Sequence, residues 1–117
     1  MTDQTIEQEI QAKGLTAPRV TPADVEANIT SEFYFSAADG VEGASGYRPD
    51  SPRAGTALGL LTFCVIVMRN GFTVTGESAC ASPENFDAEI GRKIARANAV
   101  QKMWPLMGYE LRSKLAV

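Results

Sequence analysis

The feature that most constrains this chain is an apolar run broken by a turn signal. Leu60-Leu61-Thr62-Phe63-Cys64-Val65-Ile66-Val67-Met68 leads into Arg69-Asn70-Gly71, and Phe72-Thr73-Val74-Thr75-Gly76-Glu77 follows. β-Branched and aromatic residues on both sides of Asn-Gly predict an antiparallel hairpin with a type I′ turn. Opposed residues with numbers summing to 141 place Cys64 opposite Glu77 and Cys80 opposite Leu61. The two sulfurs then do not meet, so reduced thiols are expected rather than a disulfide. This register puts Phe63, Val65, Val67, Phe72 and Val74 on one face, read as core. The other face carries Thr62, Cys64, Ile66, Met68, Thr73, Thr75 and Glu77. That second face is half apolar, and a lone hairpin is marginal in water. A strand, a helix or a second subunit must cover it, and a homo-oligomer is the economical answer.

Helices are predicted on both sides. Thr21-Pro22-Ala23-Asp24 reads as N-cap, first-turn proline and first-turn acid. Val25, Ile29 and Phe33 follow at helical spacing, which predicts a helix from 22 to about 35. Ser82-Pro83-Glu84 opens a second helix over 83–104, with Phe86, Ile90, Ile94 and Ala97 as its core stripe. Trp104-Pro105 should stop or kink it, with a shorter last helix over 107–115. Residues 3–13 form a short helix closed by Gly14, or with the rest of 1–20 a flexible tail. Residues 36–56 have no periodicity and read as a flexible loop, either disordered or closing on a ligand. The fold class is α+β: a small antiparallel β-hairpin sheet packed on a long C-terminal helix. At 117 residues the chain fits a single domain.

Composition narrows the chemistry. The chain has no histidine, which removes every His-based triad, dyad and metal site, and two cysteines cannot build a four-cysteine zinc centre. No metal site, no cofactor and no catalytic set is expected. Glu77 is the only acid expected to sit half buried in the sheet, and nothing pairs it with a nucleophile. The net charge of −3 argues against a nucleic-acid coat. The longest apolar stretch is about half of a membrane span, and the polar N-terminus is no signal peptide, so a cytoplasmic protein without a membrane partner is expected.

The sharpest charge feature is Gly91-Arg92-Lys93-Ile94-Ala95-Arg96-Ala97-Asn98. Arg92 and Arg96 lie one turn apart, among small neighbours that admit a flat ligand. They read either as an anion site or as a solvated face balanced by Glu89. Backbone N–H groups at the helix start offer a second anion site, although Ser82 serves there as a cap. Trp104, Tyr109 and Phe86 are candidates for stacking on a base, or core residues at helical spacing.

Residues 62–115 resemble a family of small tailed-phage proteins named after the gene forty-nine and gene sixty-six products of two enterobacterial phages. The resemblance lies in the segment from Cys64 through Asn70-Gly71-Phe72 to Ser78, in Ser82-Pro83-Glu84-Asn85-Phe86-Asp87-Ala88-Glu89-Ile90-Gly91-Arg92, and in Ala95, Ala99, Trp104-Pro105-Leu106, Gly108-Tyr109 and Leu111. Upstream, Arg19-Val20-Thr21-Pro22-Ala23-Asp24-Val25-Glu26 is similar to its lead-in helix. The resemblance implies a phage protein acting in the infected bacterium. Small phage proteins of this kind commonly neutralise a host component, and several are oligomeric sponges for cyclic-nucleotide alarm signals. By that analogy Arg92, Lys93 and Arg96 would neutralise phosphates, Asn98 would bond a base or ribose, and Phe86 or Tyr47 would stack. The rival readings are a protein-binding inhibitor or adaptor of a host enzyme and, more weakly, a nucleic-acid binder.

Overall fold

Three strands and one long helix carry the structure. The computed structural model describes residues 2–45 and 57–117. In chain order these give α1 (Asp3–Ala12), α2 (Pro22–Ala27), β1 (Ile29–Ser36), α3 (Ala37–Ser45), β2 (Leu61–Met68), β3 (Thr73–Ala79) and α4 (Ala88–Leu115). The sheet is antiparallel with order β1-β2-β3. One face lies against α4, so the fold is α+β as expected.

The segment expected as a helix over 22–35 divides at Asn28. Thr21 and Asp24 cap α2 reciprocally, with the Asp24 N–H donating to Thr21 Oγ1 at 3.0 Å and the Thr21 N–H donating to Asp24 Oδ2 at 2.9 Å. The helix stops at Ala27, and the Arg69 N–H donates to Asn28 Oδ1 at 3.1 Å, tying the break to the hairpin loop. The following run, Ile29-Thr30-Ser31-Glu32-Phe33-Tyr34-Phe35, is rich in β-branched and aromatic residues and pairs with β2. Helical spacing among Val25, Ile29 and Phe33 was coincidence: Val25 is buried, whereas Phe33 stands 58% exposed on the opposite side of the sheet.

The hairpin forms one residue out of the expected register. Cys64 opposes Gly76 and Leu61 opposes Ala79. The loop is Arg69-Asn70-Gly71, closed by Met68 N–H to Phe72 O at 2.9 Å, with only Gly71 at positive φ (88°). That is a three-residue turn with glycine in the left-handed position, in place of type I′. Cys64 and Cys80 are free thiols.

On β2 the core face is the reverse of the expected one, whereas Val74 of β3 is in the core as expected. Thr62, Cys64, Ile66 and Met68 are buried beneath α4, while Phe63, Val65 and Val67 are only half-buried on the far side. β3 decides the matter. Val74 and Gly76 point to the helix, and a Cβ on Gly76 would lie 2.1 Å from the Ala95 carbonyl oxygen and 2.3 Å from the Ala99 nitrogen. Only a strand with a bare α-carbon there lets α4 descend onto the sheet.

α4 meets this surface with Gly91, Ala95, Ala99 and Met103, one position round from the expected Phe86-Ile90-Ile94-Ala97 stripe. Small residues at that seam bring helix and strand backbones together; Ile90 and Ile94 remain 56% and 46% exposed. Asp87, not Ser82, caps the helix, its Oδ1 accepting the Ile90 N–H at 3.1 Å, and Pro83–Asn85 form a separate 3-10 turn. Pro105 does not end the helix, so no separate last helix exists.

Residues 37–45, expected as loop, form α3; Tyr47 and the rest of that segment lie outside the described residues. At the N-terminus α1 is docked. The Trp104 Nε1–H donates to Asp3 Oδ2 at 3.2 Å, and Arg19 grips Glu7 with both ends of its guanidinium, Nη2 to Oε2 at 2.7 Å. Hydrogen bonds from Arg19 and then Gln11 hold the Glu7 carboxyl near a pKa of about 2, against its ordinary 4.5. A carboxylate depressed in the folded state stabilises fully above its ordinary value and loses that contribution as pH falls towards 2. An NMR titration should therefore show α1 loosening between pH 4.5 and 2, with Glu7 itself titrating near 2. A Glu7 midpoint near 4.5 would mean that the Arg19 grip is not made in solution.

Candidate functional site

Arg92, Lys93, Arg96 and Asn98, proposed from the sequence, lie on α4, but the fold distributes them over its sides, and Phe86 precedes the helix. Successive helical residues are turned by about 100°, so Arg92 and Arg96 fall towards α2 and β1, Asn98 towards β3, and Lys93 to solvent. Arg96 is committed within the molecule. Its Nε donates to Glu32 Oε2 at 2.9 Å, and its Nη2 donates to both oxygens of Glu26 at 2.9 and 3.0 Å. Burial alone would lower its pKa, but the bonds to Glu32 and Glu26 hold the guanidinium charge firmly above its ordinary affinity for the proton. This cluster extends inward: the Tyr34 hydroxyl donates to Glu32 Oε1 at 2.9 Å beside the buried Cys64. Burial pushes both the tyrosine and the thiol up, so neither is ionised near neutrality.

Arg96 thus pins α2 and β1 to α4. Its acidic partners could not be found in the sequence, because Glu26 and Glu32 are 70 and 64 residues away and Glu32 was assigned to a helix. Lys93 reaches Glu89 at 3.3 Å on an exposed surface. Such a pair contributes little. The Asn98 amide donates to the Glu77 carbonyl at 2.8 Å, fastening helix to strand. Glu77 itself is exposed on β3, not half-buried. Trp104 packs against the core, while Tyr109 is 78% exposed.

Two of the candidates line concavities: Arg96 borders one of about 210 Å³ between α1, α2 and α4, where its guanidinium is already paired, and Phe86 borders another. A cleft of about 270 Å³ opens between the end of β3, the Cys80–Asp87 connection and the head of α4. Phe86, Ile90, Ile94 and Leu60 supply apolar walls, and Asn85 and Ser78 supply polar groups. Among the described residues that line it, Asp87 is the only charged side chain, and that carboxylate is engaged in capping α4. The isoleucines were missed because their spacing reads as core. Among the described residues no cluster of three acidic or cysteine side chains could hold a metal ion, and no helix is long and apolar enough to cross a membrane.

The comparisons with known proteins fit this organisation. No curated protein and no solved structure matches the chain. A family model does match, over residues 20–115, which takes in every element from α2 to α4 and leaves α1 outside. The chain belongs to the phage protein (N4 Gp49/phage Sf6 gene 66) family.

Proposed function

We propose that this phage protein acts without catalysis, countering host defence by sequestering a small cyclic-nucleotide-type signal as a homo-oligomer. The observation that carries the reading is the Phe86 cleft. It has an aromatic wall, polar groups at its rim and a volume of about 270 Å³. Pockets that enclose a drug-sized ligand run from about 300 to 1,000 Å³. An open cleft just below that range makes half of a dinucleotide site, with Phe86 stacking on one base. The phosphate-neutralising role passes to exposed Arg92 and Lys93, since Arg96 is held by two carboxylates. Neither cation lines the Phe86 cleft, so a complete site takes the cleft of one subunit and the basic face of another.

The test is thermal shift and calorimetry against cyclic di- and trinucleotides and ADP-ribose-derived signals. At a hundredfold excess over its dissociation constant, a ligand of the native state should add about 2.7 kcal/mol of stability. Phe86→Ala and Arg92→Ala should each weaken binding at least about tenfold, or 1.4 kcal/mol. A flat panel with folded protein would reject the sponge. A second reading, an inhibitor or adaptor that binds a host protein, is favoured by the open face of the sheet, where Phe33 is 58% exposed. It would be supported by a stoichiometric host complex with no small ligand.

A further inference from the structure

α1 is held on the fold chiefly by charge. Its one buried side chain is the Glu7 carboxylate, which accepts from both ends of the Arg19 guanidinium. One turn earlier on the same helix face, Asp3 accepts the Trp104 Nε1–H at 3.2 Å. The apolar side chains are only partly covered: Ile6 is 40% exposed and Ile10 half-buried. A ten-residue helix is marginal by itself in water, so α1 persists because it is seated.

The seat is a groove between α2 and α4. Val20, Pro22 and Trp104 line it beside Ile6 and Ile10, and Val25, Val100 and Trp104 line it beside Gln4. α1 fills this groove incompletely, because cavities of about 200 and 210 Å³ remain on those two sides. Side chains that border an unfilled gap lose the dispersion contacts they would otherwise make there. A helix with the same two carboxylates and bulkier apolar residues at the positions of Gln4 and Ile6 would therefore seat better than α1 does. Residues 13–21 join α1 to α2 outside any helix or strand, through Gly14 at φ 67°, so α1 can lift without unwinding α2. The family match begins at residue 20 and covers the walls of the groove but not the helix that lies in it.

We infer that α1 is a strap over a recognition groove whose other occupant is an acidic amphipathic helix of a partner protein, with carboxylates four residues apart set against Arg19 and Trp104 as Asp3 and Glu7 are. Docking of this kind, helix in groove, is read through anchors at helical spacing. The inference goes beyond sequestration and needs no nucleotide. A tethered strap stands over its groove at an effective concentration of about millimolar order, so a weakly bound helix is shut out and only a better-fitting one displaces it.

The probe is a peptide of residues 1–13, labelled at its C-terminus and titrated by fluorescence anisotropy against the full chain. Wild type is expected to exclude it. Glu7→Lys sets like charge against Arg19, and should free the groove and bind the peptide at least about tenfold more tightly than wild type. Emission from Trp104, the single tryptophan, should shift to the red in that variant and return as the peptide docks. Arg19→Glu should reverse the preference, taking a Glu7→Lys peptide and rejecting the wild-type one. Should Glu7→Lys fail to fold, Asp3→Lys carries the same expectation from the other end of α1. Unchanged Trp104 emission, a freed groove that takes no peptide, or equal binding by wild type and variant would each overturn the inference. A wild-type dimer that Glu7→Lys dissociates would make α1 of a second copy the occupant and overturn the assignment to a partner protein.

Discussion

Gly76→Ala is expected to destabilise the protein by about 3 kcal/mol or more, the upper end of what overpacking costs. The added methyl would meet the Ala95 carbonyl oxygen at 2.1 Å and the Ala99 nitrogen at 2.3 Å. Both are backbone atoms of α4, which no rotamer change can clear. The helix would have to lift from the strand, pulling Ala95 and Ala99 out of a core in which both are fully buried. Gly108→Ala is the matched control. It lies in the same helix with nothing within 4 Å of the added carbon. There the substitution should stabilise by about 0.5–1 kcal/mol, because glycine in a helix carries an entropic penalty. Denaturant midpoints of the two variants should move in opposite directions. Equal, small shifts would mean that β3 does not touch α4 as described.

Ile66→Ala is expected to cost about 3 to 4 kcal/mol, within the range for emptying a fully buried aliphatic site. Ile66 has no exposed surface and packs with Val25, Met103 and Ala99 in the core. The neighbouring Val65 faces the other way and is only half-buried. Val65→Ala should therefore cost about 1 kcal/mol or less in the monomer. Equilibrium urea unfolding of both variants at low protein concentration measures this contrast. A larger loss at Val65 than at Ile66 would return the core to the face expected from the sequence.

Why the sequence misassigned that face is instructive. β2 is the central strand, apolar at nearly every position, so its own pattern carries no alternation from which to choose a side. The choice lies in β3, where Val74 and Gly76 alternate with Thr73, Thr75 and Glu77. Counted one residue out, the pairing set these residues against the wrong partners. The face of α4 was misread for a separate reason: Phe86, Ile90 and Ile94 are the larger apolar residues at helical spacing, yet glycine and alanine make its contact. A seam of bare backbone is stabilised by close approach, and side-chain size does not signal it. β1 was lost for a related reason, since its strand character emerges through pairing with β2 some 30 residues further on.

The candidate site was legible only in part. Phe86 was found, and it lines the cleft. Arg96 was found too, but its partners Glu26 and Glu32 come from elements distant in the chain, so its commitment to them could not be read beforehand. Thr21-Pro22-Ala23-Asp24 behaves as its local chemistry requires, because a capping box closes within four residues and owes nothing to the rest of the fold.

By itself, then, the sequence determined what depends on near neighbours: the cap of α2, the chain reversal at Asn70-Gly71, the helical character of the C-terminal segment, and the exclusion of histidine chemistry. Tertiary structure decided which face of the sheet is core, which face of α4 meets it, and which arginine is tied to carboxylates within the fold. Those outcomes turn on contacts between segments far apart in the chain, where the close fit of backbone against Gly76 and the pairing of Arg96 with Glu26 and Glu32 outweigh any local preference.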